Sequence, residues 1–184
     1  MAINKLFEGQ HLRLTALNKD DLTLVTQWYK DSEFFRNYDA TPAFPHESEK
    51  WEQWLADRQQ DKASFLFAIR LITTGRLIGW TEIEGILWTQ RNAWLSIAIG
   101  DPTQRGKGFG TEAVSLLLDF AFNELNLHRI QLTVFAYNQA AIHMYEKLGF
   151  TREGTYREFV ERDGQHYDML LYGMLAREWR ARSK

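Results

Sequence analysis

Residues 104–111 read Gln104-Arg105-Gly106-Lys107-Gly108-Phe109-Gly110-Thr111. Alternating glycines permit backbone conformations that a Cβ excludes, and they let a ligand approach the main chain. The largely apolar run that follows predicts a helix. The first turn of a helix carries free N–H groups and the positive end of the helix dipole. Together these features describe a cradle for a phosphate, and Arg105 and Lys107 add positive charge. Glu112 suits the dipole but would repel a phosphate that came close. The plainer alternative is a tight strand-to-helix connection with no ligand. The Walker A pattern G-x-x-x-x-G-K-[ST] is absent. Gly108 to Ala113 fits a loose G-x-G-x-x-A dinucleotide fingerprint. It lies in mid-chain, however, and residues 131–137 offer no carboxylate for a ribose, so a nucleotide-binding oxidoreductase is set aside.

Two further groups of side chains could do chemistry. Asn138 and Tyr145 are seven residues apart, two helical turns, and so share a face. Asn138 is also a natural helix N-cap. Tyr145 falls in an apolar stripe with Ala141, Met144 and Leu148, as a core tyrosine would. Glu82 and Glu84 share one face of a strand with Trp80. A solvated strand face is the plainer reading of that pair.

These residues need elements to hold them. Residues 11–14 are predicted as a first strand. Asn18 then caps a helix with Leu22, Val25, Trp28 and Tyr29 at helical spacing. Residues 39–45 carry two prolines and are predicted as a loop. A second helix begins near Ser48, with Trp51, Trp54 and Leu55 on one face. Strands follow at 64–71, 77–84 and 92–99, then a long helix at 111–125 and a strand at 129–135. A short helix at 138–147 ends at Gly149, a C-cap residue. Two last strands flank the hairpin signal Asp163-Gly164. This order predicts an α+β or mixed α/β fold with one central sheet. Nothing resembling a repeat or linker divides residues 1–184, so one domain is expected. Trp28, Trp51, Trp54 and Trp88 are expected in core packing. The apolar stretch 169–175 pairs either across a dimer or internally.

Composition narrows the function. The 184 residues carry 22 basic and 24 acidic side chains, a formal charge of −2, which gives no global pull toward nucleic acid or an anionic membrane. There is no cysteine, which removes disulfides, thiolate metal sites and an acyl-cysteine route. The five histidines have no metal-ligand spacing, so no metal is expected. No segment reaches the roughly 18 apolar residues of a membrane span, and no signal-peptide core is present. A cytoplasmic protein is the expectation.

The glycine turn, read as [QR]-x-x-G-x-[GA], resembles a motif of the GNAT superfamily of N-acetyltransferases. Asn138 to Phe150 is similar to a second segment of that family, N-x-x-A-x-x-x-Y-x-x-x-G-F, and Asn138, Ala141, Tyr145, Gly149 and Phe150 all match. The resemblance runs from the first strand to the last hairpin and is weakest over residues 32–60. It implies a mostly antiparallel sheet of six or seven strands, splayed into a V between residues 92–99 and 129–135, with about four helices. It implies acetyl-coenzyme A as donor and a primary amine as acceptor. Backbone amides of Arg105, Gly106, Lys107, Gly108, Phe109, Gly110 and Thr111 would hold the pyrophosphate. Those near Ile97, Ala98 and Ile99 would hold the pantetheine arm, and Asn138 would touch the coenzyme. By the same resemblance Tyr145 is the candidate general acid toward the departing sulfur. Glu82 is the first choice for the base.

The acceptor is less tightly specified. The chain resembles both ribosomal-protein N-alpha-acetyltransferases and spermidine acetyltransferases. Residues 32–52 mix Glu33, Asp39, Glu47, Glu49 and Glu52 with Arg36 and Lys50, without the dense acidic run of the spermidine enzymes. The expectation therefore puts a peptide N-terminal amine first, with a polyamine or other small amine as the alternative. A noncatalytic acyl-coenzyme A-binding module is the reading from another class. The resemblance is compatible with a homodimer.

Overall fold

In the computed structural model, which describes residues 6–44 and 48–182, short apolar runs form seven strands and amphipathic runs form the helices packed on them. In chain order these are β1 (Leu12–Thr15), α1 (Leu22–Tyr29), α2 (Ser32–Tyr38), α3 (Ser48–Gln60), β2 (Phe65–Leu71), β3 (Leu77–Leu87), β4 (Asn92–Ile99), α4 (Phe109–Asp119), β5 (Arg129–Phe135), α5 (Gln139–Leu148), β6 (Thr151–Arg162), β7 (Gln165–Leu175) and α6 (Ala176–Arg182). The strands lie in the order β1-β2-β3-β4-β5-β7-β6. Every neighbouring pair is antiparallel except β4 and β5. That parallel pair is joined only at Asn92–Arg129, Ala93–Ile130 and Trp94–Gln131. Beyond Trp94 the two strands part, and the sheet opens as a V.

Both sides of the sheet are covered. One buried cluster packs Val114, Leu117 and Leu118 of α4 and Tyr145 and Leu148 of α5 against Ile130, Leu132 and Val134 of β5. A second gathers Trp28, Phe34, Trp51, Leu55 and Trp80 between α1–α3 and the sheet. Trp80 is its hub: the ring stacks near Trp28 and Tyr29, and Nε1 donates to the Tyr38 hydroxyl at 3.1 Å. Trp28 and Trp51 are core residues, as expected, and Trp54 packs against them. Trp88 is not. It is 48% exposed on the β3–β4 turn, because β3 runs on to Leu87 past the end expected at residue 84.

Several elements differ from the sequence reading. Residues 32–38 form α2, less than two turns long and started by Asp31, whose carboxylate accepts from the N–H groups of Glu33 and Phe34. An aromatic-rich heptapeptide has weak helix propensity. Tertiary burial of Phe34 and Phe35 holds it. The last residues form α6, where Ala176 and Trp179 sit on the buried face of a charged segment. The long helix is α-helical only to Asp119 and continues as a π turn, Phe120–Glu124. The extra residue in that turn buries Phe120, Ala121 and Phe122 together. α6 seals the join, with Trp179 Nε1 donating to Asp119 at 2.8 Å and Arg180 to the Phe122 carbonyl at 3.0 Å. Residues 169–175 pair internally, since β7 lies between β5 and β6.

Candidate active site

The divergence of β4 from β5 leaves a cleft of about 410 Å³. Its walls are Ser96 and Ile97 of β4, Thr133 to Phe135 of β5, and Asn138, Ala141 and Tyr145 at α5, with Tyr38 and Asp39 closing it from α2. Past Trp94 the edge of β4 that faces β5 has no strand partner, so its backbone groups turn to this space. Ile97 lines the cleft. Ala98 packs the other way, into the Trp80 cluster.

The glycine turn sits where β4 ends. Gly106 and Gly108 have φ of 73° and 84°, and a methyl group on either would meet nothing within 4 Å. The conformation needs glycine and the space above it is open. Gly110 is different: a methyl there would lie 2.9 Å from Met144 Sδ, so this glycine lets α4 approach α5 closely. Among the described residues the N–H groups of residues 106–111 have no acceptor. The first amide of the helix to find one is Glu112, at 3.1 Å from the Gly108 carbonyl. Six consecutive free donors over a helix N-terminus fit a pyrophosphate.

The charges around this turn are arranged in an order the sequence does not show. The Arg105 guanidinium points away from the loop. It donates to the carbonyls of Ile99 at 3.0 Å and Gly100 at 3.1 Å, and it lies over the Phe34 ring. Its charge braces the end of β4. Lys107 is exposed, 3.2 Å from Gln104 Oε1, beside the open amides. Glu112 does not confront the loop. Burial alone would raise its carboxyl, but hydrogen bonds from the His11 and Leu12 amides and the His11 ring hold it below the usual carboxylate range.

Tyr145 and Asn138 fall on the cleft side of α5. The Tyr145 ring is core, packed edge-on to Phe150. Its hydroxyl, however, has no hydrogen-bond partner among the described residues, and the residue lines the cleft. Burial, with a smaller contribution from Tyr38, pushes its ionisation well above the ordinary phenol value. The phenol therefore stays protonated at any working pH. Asn138 caps α5, accepting from Ala141 N–H at 3.2 Å, and its amide donates to the Asn37 carbonyl at 3.4 Å.

Glu82 is not on a solvated face. It is 2% exposed beside Arg58 of α3, on the strand next to the cleft wall and opposite Ser96. Arg58 Nε lies 3.2 Å from Oε1, out of line for a hydrogen bond, and Oε1 has no other partner. Arg58 also reaches Glu84 at 3.0 Å, so one cation serves two carboxylates. Burial first, then Glu84 and Asp61, push the Glu82 carboxyl up to about 7 against the pull of Arg58.

Asp39, one of the acidic residues read in the sequence, lines the cleft, and so do Tyr38, Arg58 and Ser96, which were not singled out from the sequence. Arg58 alone carried a signal: it is seven residues from Trp51 and three from Leu55, on the helix face already read as buried. One end of the cleft thus holds Arg58 and Glu84 beside Trp94, and the amide turn lies at the far end of β4. Among the described residues no three His, Asp or Glu side chains are grouped so as to hold a metal ion.

Residues 11–151 match the family described as acetyltransferase (GNAT) domain. A prophage-derived uncharacterized N-acetyltransferase of Bacillus subtilis is 31% identical, covering 93% of each chain. The spermidine N(1)-acetyltransferase of Vibrio cholerae is 30% identical, covering 96% of this chain and 99% of that enzyme. A crystal structure of spermidine N-acetyltransferase from Vibrio cholerae, in complex with CoA and spermine, superposes with a TM-score of 0.85 at 28% identity, over 94% of this chain and 99% of that one. A splayed sheet, a turn of free amides and a match along the whole fold converge: the chain belongs to the GNAT acetyltransferase family and is an N-acetyltransferase that draws its acetyl group from acetyl-coenzyme A.

Proposed function

We propose that the acceptor is a polyamine or a similar small polycationic amine. The observation that carries this reading is the pair of carboxylates in the cleft lining, Glu84 and Asp39. Arg58 offsets only part of that charge. An extended cation can place one amine at the thioester and another against these carboxylates. The full-length likeness to a spermidine acetyltransferase supports the same acceptor ahead of the peptide N-terminus. Of the acidic residues read in the sequence, Glu49 and Glu52 lie exposed on α3 outside the cleft lining, and Glu47 lies outside the described residues.

The residues divide the work by position. The amides of residues 106–111 hold the pyrophosphate, and the unpaired edge of β4 orients the arm that leads into the V. When bound, acetyl-coenzyme A supplies an activated acyl group as a thioester. Glu82, through water, takes the proton that the ammonium must lose before its nitrogen can attack the carbonyl carbon. As the C–N bond forms and the C–S bond breaks, the Tyr145 hydroxyl gives its proton to the departing sulfur. A carboxyl near 7 and a phenol held protonated suit those two opposite tasks.

The acceptor class is tested by coenzyme A release with a thiol reagent. With no cysteine in the chain, the protein adds no thiol signal. Spermidine and spermine are expected to be turned over with kcat/KM roughly a hundredfold above peptides bearing free N-termini, about 3 kcal/mol of discrimination. Equal or better turnover of the peptides would reverse the assignment.

A further inference from the structure

The cleft wall formed by residues 37–40 is the C-terminal end of α2 and the residues after it. A helix C-terminus leaves its last carbonyls without intrahelical partners. Here those carbonyls are taken by side chains from elsewhere in the chain. The Tyr137 hydroxyl donates to the Arg36 carbonyl, and Asn138 Nδ2 donates to that of Asn37. Arg162, at the end of β6, donates from Nη2 to the carbonyls of Asp39 at 2.9 Å and Ala40 at 3.2 Å, and comes within 3.4 Å of that of Thr41. Next to it, Asp163 in the hairpin turn forms a two-pronged pair with Arg36, both contacts at 2.8 Å. The segment that presents Asp39 to the cleft is therefore strapped to the β6–β7 hairpin, more than 120 residues away in sequence.

We propose that Arg162 is a positioning residue for the acceptor: by capping the carbonyls of residues 39–41 it sets where the Asp39 wall stands. This rests on the reading that the Asp39 end of the cleft receives the amine. Arg162 makes no contribution to the glycine turn or to Tyr145, so donor binding does not depend on it. Hydrogen bonds from a charged donor are the strong kind, and here they hold the carbonyls of the segment that follows α2. An arginine can bridge adjacent carbonyls from one nitrogen, whereas methionine fills the same path with no donor.

The test compares Arg162→Met with Arg162→Lys and the wild type. For Arg162→Met, KM for spermidine is expected to rise roughly tenfold while kcat stays within about twofold. Coenzyme A affinity should stay at its wild-type value, and the melting temperature should fall by no more than a few degrees, the cost of the lost hydrogen bonds. Arg162→Lys, which restores a cationic donor, should recover most of the KM. An unchanged KM would overturn the proposal. So would a loss of coenzyme A affinity in step with acceptor affinity, since that would mark a general structural role. Hydrogen exchange at residues 37–41 reads the strap without any acceptor: faster exchange confined to that segment in Arg162→Met supports it, and unchanged exchange refutes it. Loss of protection in a protein that turns over peptides and not spermidine would retain the strap and reject the polyamine reading alone.

Discussion

Replacing Tyr145 by phenylalanine is expected to lower kcat by about 10²- to 10⁴-fold, the range for removing a positioned proton donor. The substitution is close to isosteric. The ring keeps its packing against Phe150 and the α5 core. The hydroxyl it removes has no protein partner among the described residues, so nothing is left unsatisfied. Stability should therefore change by less than about 1 kcal/mol. Coenzyme A affinity should be near wild type, because the site proposed for the pyrophosphate is the amides of residues 106–111 and not α5. The combination separates this role from that of a core tyrosine: a large fall in kcat with an unmoved melting temperature and unmoved donor binding. Steady-state kinetics beside thermal denaturation and donor titration measure all three. A wild-type kcat would remove Tyr145 from the chemistry.

Glu82→Gln carries the second large effect, and its signature lies in pH. A base with a carboxyl pushed up to about 7 is half protonated there. Turnover at saturating acceptor should fall about tenfold per pH unit below that point and level off above it. Glutamine keeps the shape and cannot take the proton. The variant should lose about 10²-fold or more in kcat at pH 8, and the limb near 7 should vanish from its profile. Acceptor ionisation acts on both proteins alike, so the ratio of the two profiles isolates Glu82. The same shift acts on stability with a definite sign. The folded-state value lies above the unfolded 4.5, so the folded protein binds the proton more tightly. Below about 4.5 both states are protonated and Glu82 costs nothing. As pH rises from there to about 7 the cost of ionising a buried carboxylate appears in full. Glu82→Gln should therefore gain in melting temperature relative to wild type across that interval, with Arg58 still paired to Glu84. A superposable pair of pH–rate profiles would reject Glu82 as the base.

The parts of the site that were legible in the sequence are those made by local rules. Gly149 ends α5 at a φ of 94°, Asn138 caps it, and the strands at Asn92–Ile99 and Arg129–Phe135 end where the pattern places them. Tyr145 could be put on the face shared with Asn138 because a helix repeats. What sequence could not supply were long-range partners. Glu112 looks like an obstacle to a phosphate until His11, 101 residues away, turns its carboxylate aside. Arg105 looks like a phosphate ligand until the end of β4 claims its guanidinium. The Glu82 face looks solvated because nothing local says that α3 lies over it. Asp39 was read as a charge but not as part of a wall with Tyr38, because α2 is shorter than two turns and depends on burial rather than propensity. The resemblance supplied the V, since no local signal marks where a parallel pair stops pairing.

If acetyl transfer takes place in the wedge where β4 leaves β5, coenzyme A must bind there. A crystal structure with coenzyme A tests it most directly. The pyrophosphate is expected within hydrogen-bond distance of the amides of residues 106–111, the arm along β4 past Trp94, and the sulfur within reach of the Tyr145 hydroxyl. Coenzyme A bound elsewhere, or with its sulfur remote from Tyr145 and the amides of residues 106–111 still without an acceptor, would contradict it.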